Sequence, residues 1–508
     1  MADFDTTYTI EDVGQLRSEL DHVVDTQCAA HAHETIDDAL RTWLSLASRC
    51  RHEFCQSEDV VASCSRALLR GNLFKTNPDY VRTQIIYSLL EADEDDAGPL
   101  YIIASFLLLD GQSHEATFRS MMEWSCFQRL VELINGRRDI DPGLHRLLLE
   151  LLYEMSRIER LSVDDLLHVD DGFVTYLFQL IEDYYDDVHD LYHKPIIRVL
   201  LVLNEQYMVV SASAVTDPTS PSAPMTNKVV KCLSLHGLLF KTFGENIILL
   251  LNRETETALQ LLILKLLYLL FTTKATYEYF YTNDLRVLLD VIIRNLLDLP
   301  NELMSLRHTY LRVLYPLLAH TQLNQPPHYK EDEVQKVLRI LAGTGNAHFA
   351  PADETTLRLV DRVAKVKWLA SDGTGAGEIA RKFLGISLSP TDTASNISVV
   401  DVAAVMEKPG VKTPSRKAHE EAETDAEKDA VPGAGAEGGA KIPPMPDRAK
   451  KPPVVPRHKH GRPYDAAFSS VNGNGSTSKG PPPKVPPPRK GRLKPVAPAS
   501  EASTEQVS

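Results

Sequence analysis

The sequence predicts an all-α fold, an armadillo/HEAT-like α-solenoid followed by a disordered proline-rich C-terminal tail. Three observations carry this reading. Residues 1–375 are dense in Leu, Ile, Val and Tyr, with few glycines and almost no strand-like alternation. Turn signals cut that stretch into helical segments of roughly 12 to 20 residues. From about Ala376 onward, Pro, Gly, Ala, Lys and Glu replace the apolar residues. Such a composition buries too little apolar surface to offset chain entropy, so residues 376–508 are expected to be a disordered linker and basic tail.

The expected helices lie near 10–30, 34–69 (broken), 78–90, 98–109, 114–135, 142–159, 170–185, 190–210, 225–241, 255–272, 283–298, 301–320, 330–343 and 353–370. Thr9 with Asp12 has the pattern of a helix start, and Asp141-Pro142 places proline at a first-turn position. Arg286, Asp290, Arg294 and Asp298 recur every four residues, which draws one narrow wet stripe with paired charges along it. Thr257 to Phe271 is apolar nearly all round, apart from Gln260 and Lys265. Helices with so little polar surface must be covered on several sides. Stacked helical layers do this where one bundle of fourteen helices would not. Ser211 to Thr226 reads as a polar, proline-punctuated loop between two helices.

Charge follows the same division. The whole chain carries −15, whereas residues 440–508 hold thirteen Lys and Arg against four Asp and Glu, which leaves −24 for residues 1–439. An acidic body is a poor surface for phosphates, so no nucleic-acid partner is expected. Six cysteines in so long a chain make no disulfide framework. Cys50, His52, Cys55 and Cys64 lack the paired spacing of a structural zinc site, and ordinary thiols are expected. The longest apolar stretch, Leu259 to Phe271, is too short and interrupted to span a bilayer, and no signal peptide opens the chain. The expectation is a cytoplasmic chain without a transmembrane segment. Gly373-Thr374-Gly375-Ala376-Gly377 lacks the strand and lysine of a nucleotide loop, and the histidines have no partners at revealing spacing. No catalytic residue, metal or cofactor is expected. The oligomeric state is not legible in the sequence.

The tail carries three motifs with a physical rationale. Pro443 to Arg448 reads P-x-x-P-x-R, with Pro446 as its second proline. Lys450 to Pro456 reads K-x-x-P-x-x-P through Pro453, and Arg492 to Pro498 reads R-x-x-P-x-x-P through Pro495. Proline fixes the backbone near polyproline II, so such a peptide meets an aromatic groove already extended, and the flanking cation sets its direction. These nine positions are the candidate SH3-binding residues. On the helix beginning near Leu191, Lys194, Arg198, Asn204 and Gln206 are polar positions that would grip a partner helix from a solenoid wall. Arg253, Arg307 and Arg312 either read acidic groups on a partner or tie helix ends together. Tyr279, Tyr281 and Asn283 belong to an inter-helix turn.

An ordered series of stretches spans Asp190 to Gln322. It begins with Leu191-Tyr192-His193-Lys194-Pro195 and Leu203-Asn204-Glu205-Gln206-Tyr207, followed by Phe243-Gly244-Glu245-Asn246 and Leu250-Leu251-Asn252-Arg253-Glu254. It continues through Leu264-Lys265-Leu266-Leu267-Tyr268, Tyr279-Phe280-Tyr281-Thr282-Asn283-Asp284-Leu285 and Leu306-Arg307-His308-Thr309-Tyr310-Leu311-Arg312-Val313-Leu314. In this order they resemble the leucine-rich domain of the WISH/DIP/SPIN family, fungal branch. The resemblance implies an activator of the Arp two/three complex, the actin nucleator. Such proteins bind the complex through the helical domain and yield linear seed filaments without a mother filament. It also implies cortical endocytic actin patches as the location, where SH3-domain proteins would be partners. Animal members carry an N-terminal SH3 domain, whereas helical patterning here begins at about Ile10, so the chain is expected to offer proline ligands instead. No L-K-K-T-like actin-binding helix is present, so the sequence does not resemble the WASP class. The alternative reading is a non-enzymatic endocytic adaptor whose solenoid binds another helical peptide.

Overall fold

The computed structural model of the 508-residue chain describes residues 13–26, 32–53, 58–93, 96–136, 141–183, 193–216, 225–300, 302–343, 353–369 and 402–403. Among these, nineteen α-helices and two short 3₁₀ turns form, and no strand does. Three helices open the described chain: α1 (Val13–Val24), α2 (His33–Glu53) and α3 (Glu58–Arg70). A repeating order then begins, in which a short helix leads to a second and a longer third. The first set is α4 (Asn72–Thr76), α5 (Pro78–Glu91) and α6 (Ala97–Ser113), and the next is α7 (Ala116–Glu123), α8 (Cys126–Gly136) and α9 (Pro142–Ile158). Two more follow, α10 (Val163–His168), α11 (Asp171–Asp183) and α12 (His193–Thr216), then α13 (Lys228–His236), α14 (Lys241–Arg253) and α15 (Thr257–Thr272). Further on, a 3₁₀ turn replaces the short helix. Lys274–Thr276 precedes α16 (Thr282–Asp298) and α17 (Met304–His320), and Gln322–Asn324 precedes α18 (Glu331–Leu341) and α19 (Glu354–Ala364).

The third helix of each set packs on that of the next. The succession runs α6 on α9, α9 on α12, α12 on α15, α15 on α17 and α17 on α19. Each layer thereby buries the apolar face its neighbour exposes. The spine is correspondingly apolar: twelve of the sixteen residues of α15 are buried, so this helix is covered on nearly every side. Lys194–Ala212 of α12 is long and apolar enough to cross a membrane by length and composition, yet 72% of it is buried inside the stack, as in a core helix.

Helix starts follow the local chemistry. Asp141 caps α9 by accepting from the Leu144 amide at 3.1 Å, with Pro142 at the first helical position as expected. Ser162 and Asp165 cap α10 reciprocally, at 3.1 and 3.0 Å. Asn227 caps α13 through the amides of Val229 and Val230. Thr9 and Asp12 lie outside the described residues.

Several boundaries differ from the sequence reading. The helix expected at 114–135 is two, α7 and α8, parted at Trp124 and Ser125, where Ser125 takes the left-handed conformation at φ 59°. The short α4 and α10 and the whole of α14 were not expected. α12 continues through Ser211 to Thr216, into what reads as loop. The stripe on α16 bridges outward: Arg294 donates to Asn252 Oδ1 at 2.7 Å, and Asp290 meets Lys330 at 3.2 Å and the Tyr329 hydroxyl at 3.1 Å. Its charges knit α16 to neighbouring elements. Within the stretch expected to be linker, Val402 and Ala403 are helical and buried.

Candidate functional site

Among the described residues, the concavities of the helical body include a larger and a smaller one. The larger, about 710 Å³, opens between α1 and α3 and is lined by residues such as Arg17, Asp21, Arg66 and Arg70. The other, about 330 Å³, lies between the spine helices α9 and α12 at the end of α6. Arg146, Glu150, Tyr153 and Glu154 of α9 face Lys194 and Arg198 of α12 across it. Spacings of four, seven and eight residues put the α9 groups on one helix face, and Lys194 with Arg198 share a face by the same rule. The Arg198 guanidinium lies over the Tyr153 ring at 5.3 Å, and Arg157 approaches the same ring at 5.8 Å. Arg157 also pairs with Glu154 at 2.6 Å.

Electrostatics here favour recognition. Burial raises Tyr153 above its ordinary range, outweighing the opposing pull of Arg157 and Arg198. Burial alone would lower Arg157, but Glu154 more than offsets it and Arg157 ends above its ordinary value. Both shifts lead away from neutrality, so neither group becomes a proton shuttle at neutral pH. Arg198 Nε is buried and makes no hydrogen bond to any described residue. A mixed-charge cleft with a spare guanidinium donor is suited to acidic side chains or helix-end carbonyls of a protein partner.

The sequence reading expected Asn204 and Gln206 to face a partner together with Lys194 and Arg198. The structure corrects that: they are 0% and 1% exposed. Gln206 donates to the carbonyls of Ser156 at 2.7 Å and Glu159 at 3.0 Å, and accepts from the Leu161 amide at 3.2 Å, closing the end of α9. Asn204 accepts from the Asn227 side chain at 2.9 Å, holding the residue that caps α13. Between them Glu205 pairs with Lys265 of α15, and next to them the Tyr207 hydroxyl donates to the Leu166 carbonyl at 3.1 Å. The run Asn204-Glu205-Gln206-Tyr207 is a buried polar hub whose four side chains tie α12 to α13, α15, α9 and α10. Of the four solenoid residues singled out, Lys194 and Arg198 line the cleft.

Other singled-out residues are also rivets between layers. Arg307 donates to the Leu299 carbonyl at 2.9 Å, and Arg294 holds Asn252. Tyr279 is buried, its hydroxyl donating to the Phe240 carbonyl at 2.5 Å, and Lys241 lies over the rings of Tyr279 and Tyr281 at 5.0 and 4.7 Å. Tyr281 is the exposed N-cap of α16, whereas Asn283, expected in the turn, is exposed within the first turn of that helix. Cys64, Cys126 and Cys232 are buried thiols, and burial pushes the Cys126 thiol up to about 12. Sequence reading did not find Arg146, Glu150 and Glu154, because only tertiary packing brings them opposite α12. Pro443, Pro446, Arg448, Lys450, Pro453, Pro456, Arg492, Pro495 and Pro498 lie outside the described residues.

Comparison with known proteins matches the model of the SPIN90/Ldb17 leucine-rich domain to residues 189–334, which begins just before α12 and ends within α18. Protein dip1 of Schizosaccharomyces pombe is 29% identical over 73% of this chain and 98% of its own length. Protein LDB17 of Saccharomyces cerevisiae is 27% identical over 72% of this chain and 81% of its own. The LDB17 protein of Eremothecium gossypii is 27% identical over 63% and 72%. An engineered protein of known structure shares 12% identity at a TM-score of 0.28, over 56% of this chain and 94% of its own, too remote to bear on the fold. The buried Asn204-Glu205-Gln206-Tyr207 hub and the layered spine around it lie inside the matched region, and the chain is similar to the fungal branch of the WISH/DIP/SPIN family.

Proposed function

We propose that this protein binds the Arp two/three complex through its helical body and activates it to nucleate linear seed filaments at cortical endocytic actin patches. The observation that supports this most is likeness to dip1 along nearly all of that relative's length, since the family implies such activation. The helical domain acts as an armadillo-like wall, and the cleft of Arg146, Glu150, Glu154, Lys194 and Arg198 is its partner-reading surface. Activation by binding needs only a difference in affinity. A preference of about 10⁴-fold for the active arrangement, roughly 5.5 kcal/mol, carries a 1:99 equilibrium to 99:1. The protein makes and breaks no bond in this scheme, and is not an enzyme. The tail motifs would then localise it, since several weak SH3 ligands on one chain raise avidity by about 10²–10⁴ with a multivalent partner.

Pyrene-actin assembly with purified Arp two/three complex tests the reading. The full chain should accelerate assembly and give unbranched filaments by microscopy. The variant carrying Lys194→Glu and Arg198→Glu should lose at least tenfold in activity while keeping its helical content and a cooperative melt. No acceleration at any concentration would leave the adaptor reading. Replacing Arg448, Lys450 and Arg492 by alanine should weaken SH3 pull-down and leave nucleation unchanged.

A further inference from the structure

We infer that the face between α12 and α15 is a groove for a short apolar helix, and that its occupant is the chain's own segment around Val402–Ala403. Lys194, Arg198 and Glu205 stand four and seven residues apart, so they lie along one face of α12. That face is wet at one end and dry at the other. Lys194 is exposed, whereas Glu205 and its partner Lys265 are each only 2% exposed as side chains. A charged pair on a spine helix is dry only if something covers it, and Val402 and Ala403 are there, 0% and 6% exposed. Lys265 Nζ, an ammonium with three donors, lies 3.5 Å from the Ala403 carbonyl while paired with Glu205. It therefore serves the docked segment and the groove wall together. Glu205 Oε2 is buried with no hydrogen-bond partner among the described residues, a second polar atom available to a docked backbone.

The occupant's sequence fits this role. In the sequence, Val399, Val402, Ala403 and Met406 stand at i, i+3, i+4 and i+7, the spacing of an apolar helix face, within the largely apolar run Ile397 to Met406. The neighbouring α15 is apolar nearly all round, so it needs cover on the side its sister helices leave open. An apolar stripe seated there supplies that cover. While seated in cis, the segment denies this face of α12 and α15 to a partner helix. This goes beyond the nucleation reading, and none of its tests uses the Arp two/three complex.

Hydrogen–deuterium exchange on the full chain reads the contact directly. Amides around Val402–Ala403 should exchange at least tenfold more slowly than those of residues 415–430, at every protein concentration. Exchange at the rate of those residues would overturn the proposal, and protection lost on dilution would make the occupant a second copy instead. In Val402→Asp, protection should fall at least tenfold and amides around Lys265 should become faster, with the remaining helices unchanged. A fluorescein-labelled peptide of residues 396–408 should bind the Val402→Asp protein at least tenfold more tightly than the wild type, whose groove is filled. Equal binding to both, or binding to neither, would refute the groove.

Discussion

Asn204 and Gln206, two residues apart on α12, are bonded toward opposite ends of the stack: Asn204 to Asn227 at the start of α13, Gln206 to Ser156 and Glu159 at the end of α9. Two residues of a helix are about 200° apart, so polar side chains at this spacing serve both neighbouring layers. Gln206 is the more consequential, because it satisfies three backbone groups at a buried helix end. Gln206→Ala should lower stability by about 2–4 kcal/mol, since unpaired buried groups carry their full desolvation penalty. Lys194→Ala, on the same helix but exposed, should stay within about 0.5 kcal/mol of wild type. Thermal melts of the two variants check the contrast, and equal destabilisation would contradict the assignment.

Glu205 and Lys265 form a pair that is dry on both sides. Removing one partner strands a buried charge, so Lys265→Met should cost about 3–5 kcal/mol. The double variant Glu205→Leu with Lys265→Met leaves no charge behind, and should recover most of that loss. Chemical denaturation of the single and double variants gives the coupling. Additive losses would mean that the two residues act independently.

How these residues read from sequence alone has a physical reason. Periodicity finds long apolar helices, so α9, α15, α16 and α17 were legible in it. α14 was not, because its first half carries Phe243-Gly244-Glu245-Asn246 and Phe240 stands at its cap without a side-chain bond. Gly244 is there for packing: a Cβ would come 3.0 Å from the Tyr279 ring and 3.1 Å from that of Phe280. The break between α7 and α8 rests on Ser125, a residue type with no special liking for φ above zero. Lys194 and Arg198 were legible as a pair by their spacing, but not the α9 half of the cleft. Asn204 and Gln206 were misread because a polar residue in an apolar helix looks partner-facing until the helix ends it satisfies are known.

Gly111, inside α6, sits against the ring of Phe118 on α7. A Cβ there would come 2.2 Å from the Phe118 ring, and that ring is fully buried. Gly111→Ala should therefore destabilise by about 1–3 kcal/mol despite the better helix propensity of alanine. At Gly98, at the start of the same helix, an added Cβ meets nothing nearer than 3.4 Å. Gly98→Ala should be neutral or mildly stabilising. Melting temperatures decide the matter, and a harmless Gly111→Ala would show that the α6–α7 contact is loose.

His145 is buried in α9 with its Nε2 3.1 Å from the Tyr176 hydroxyl. Burial lowers its pKa to about 4, against a pull upward from a hydrogen bond with the Ile134 backbone. The unfolded chain, near an ordinary 6.5, therefore takes up this proton first. The contribution is fully present above about pH 6.5 and is lost as pH falls toward about 4, by at most about 3 kcal/mol. Burial also lowers His308, opposed by Asp353, so acid sensitivity alone does not isolate His145. The difference does: His145→Gln cannot take up this proton, and its stability should fall less steeply than that of wild type between pH 6.5 and 4.5. Denaturation midpoints across that interval measure the slopes, and parallel curves would mean that His145 titrates alike in both states.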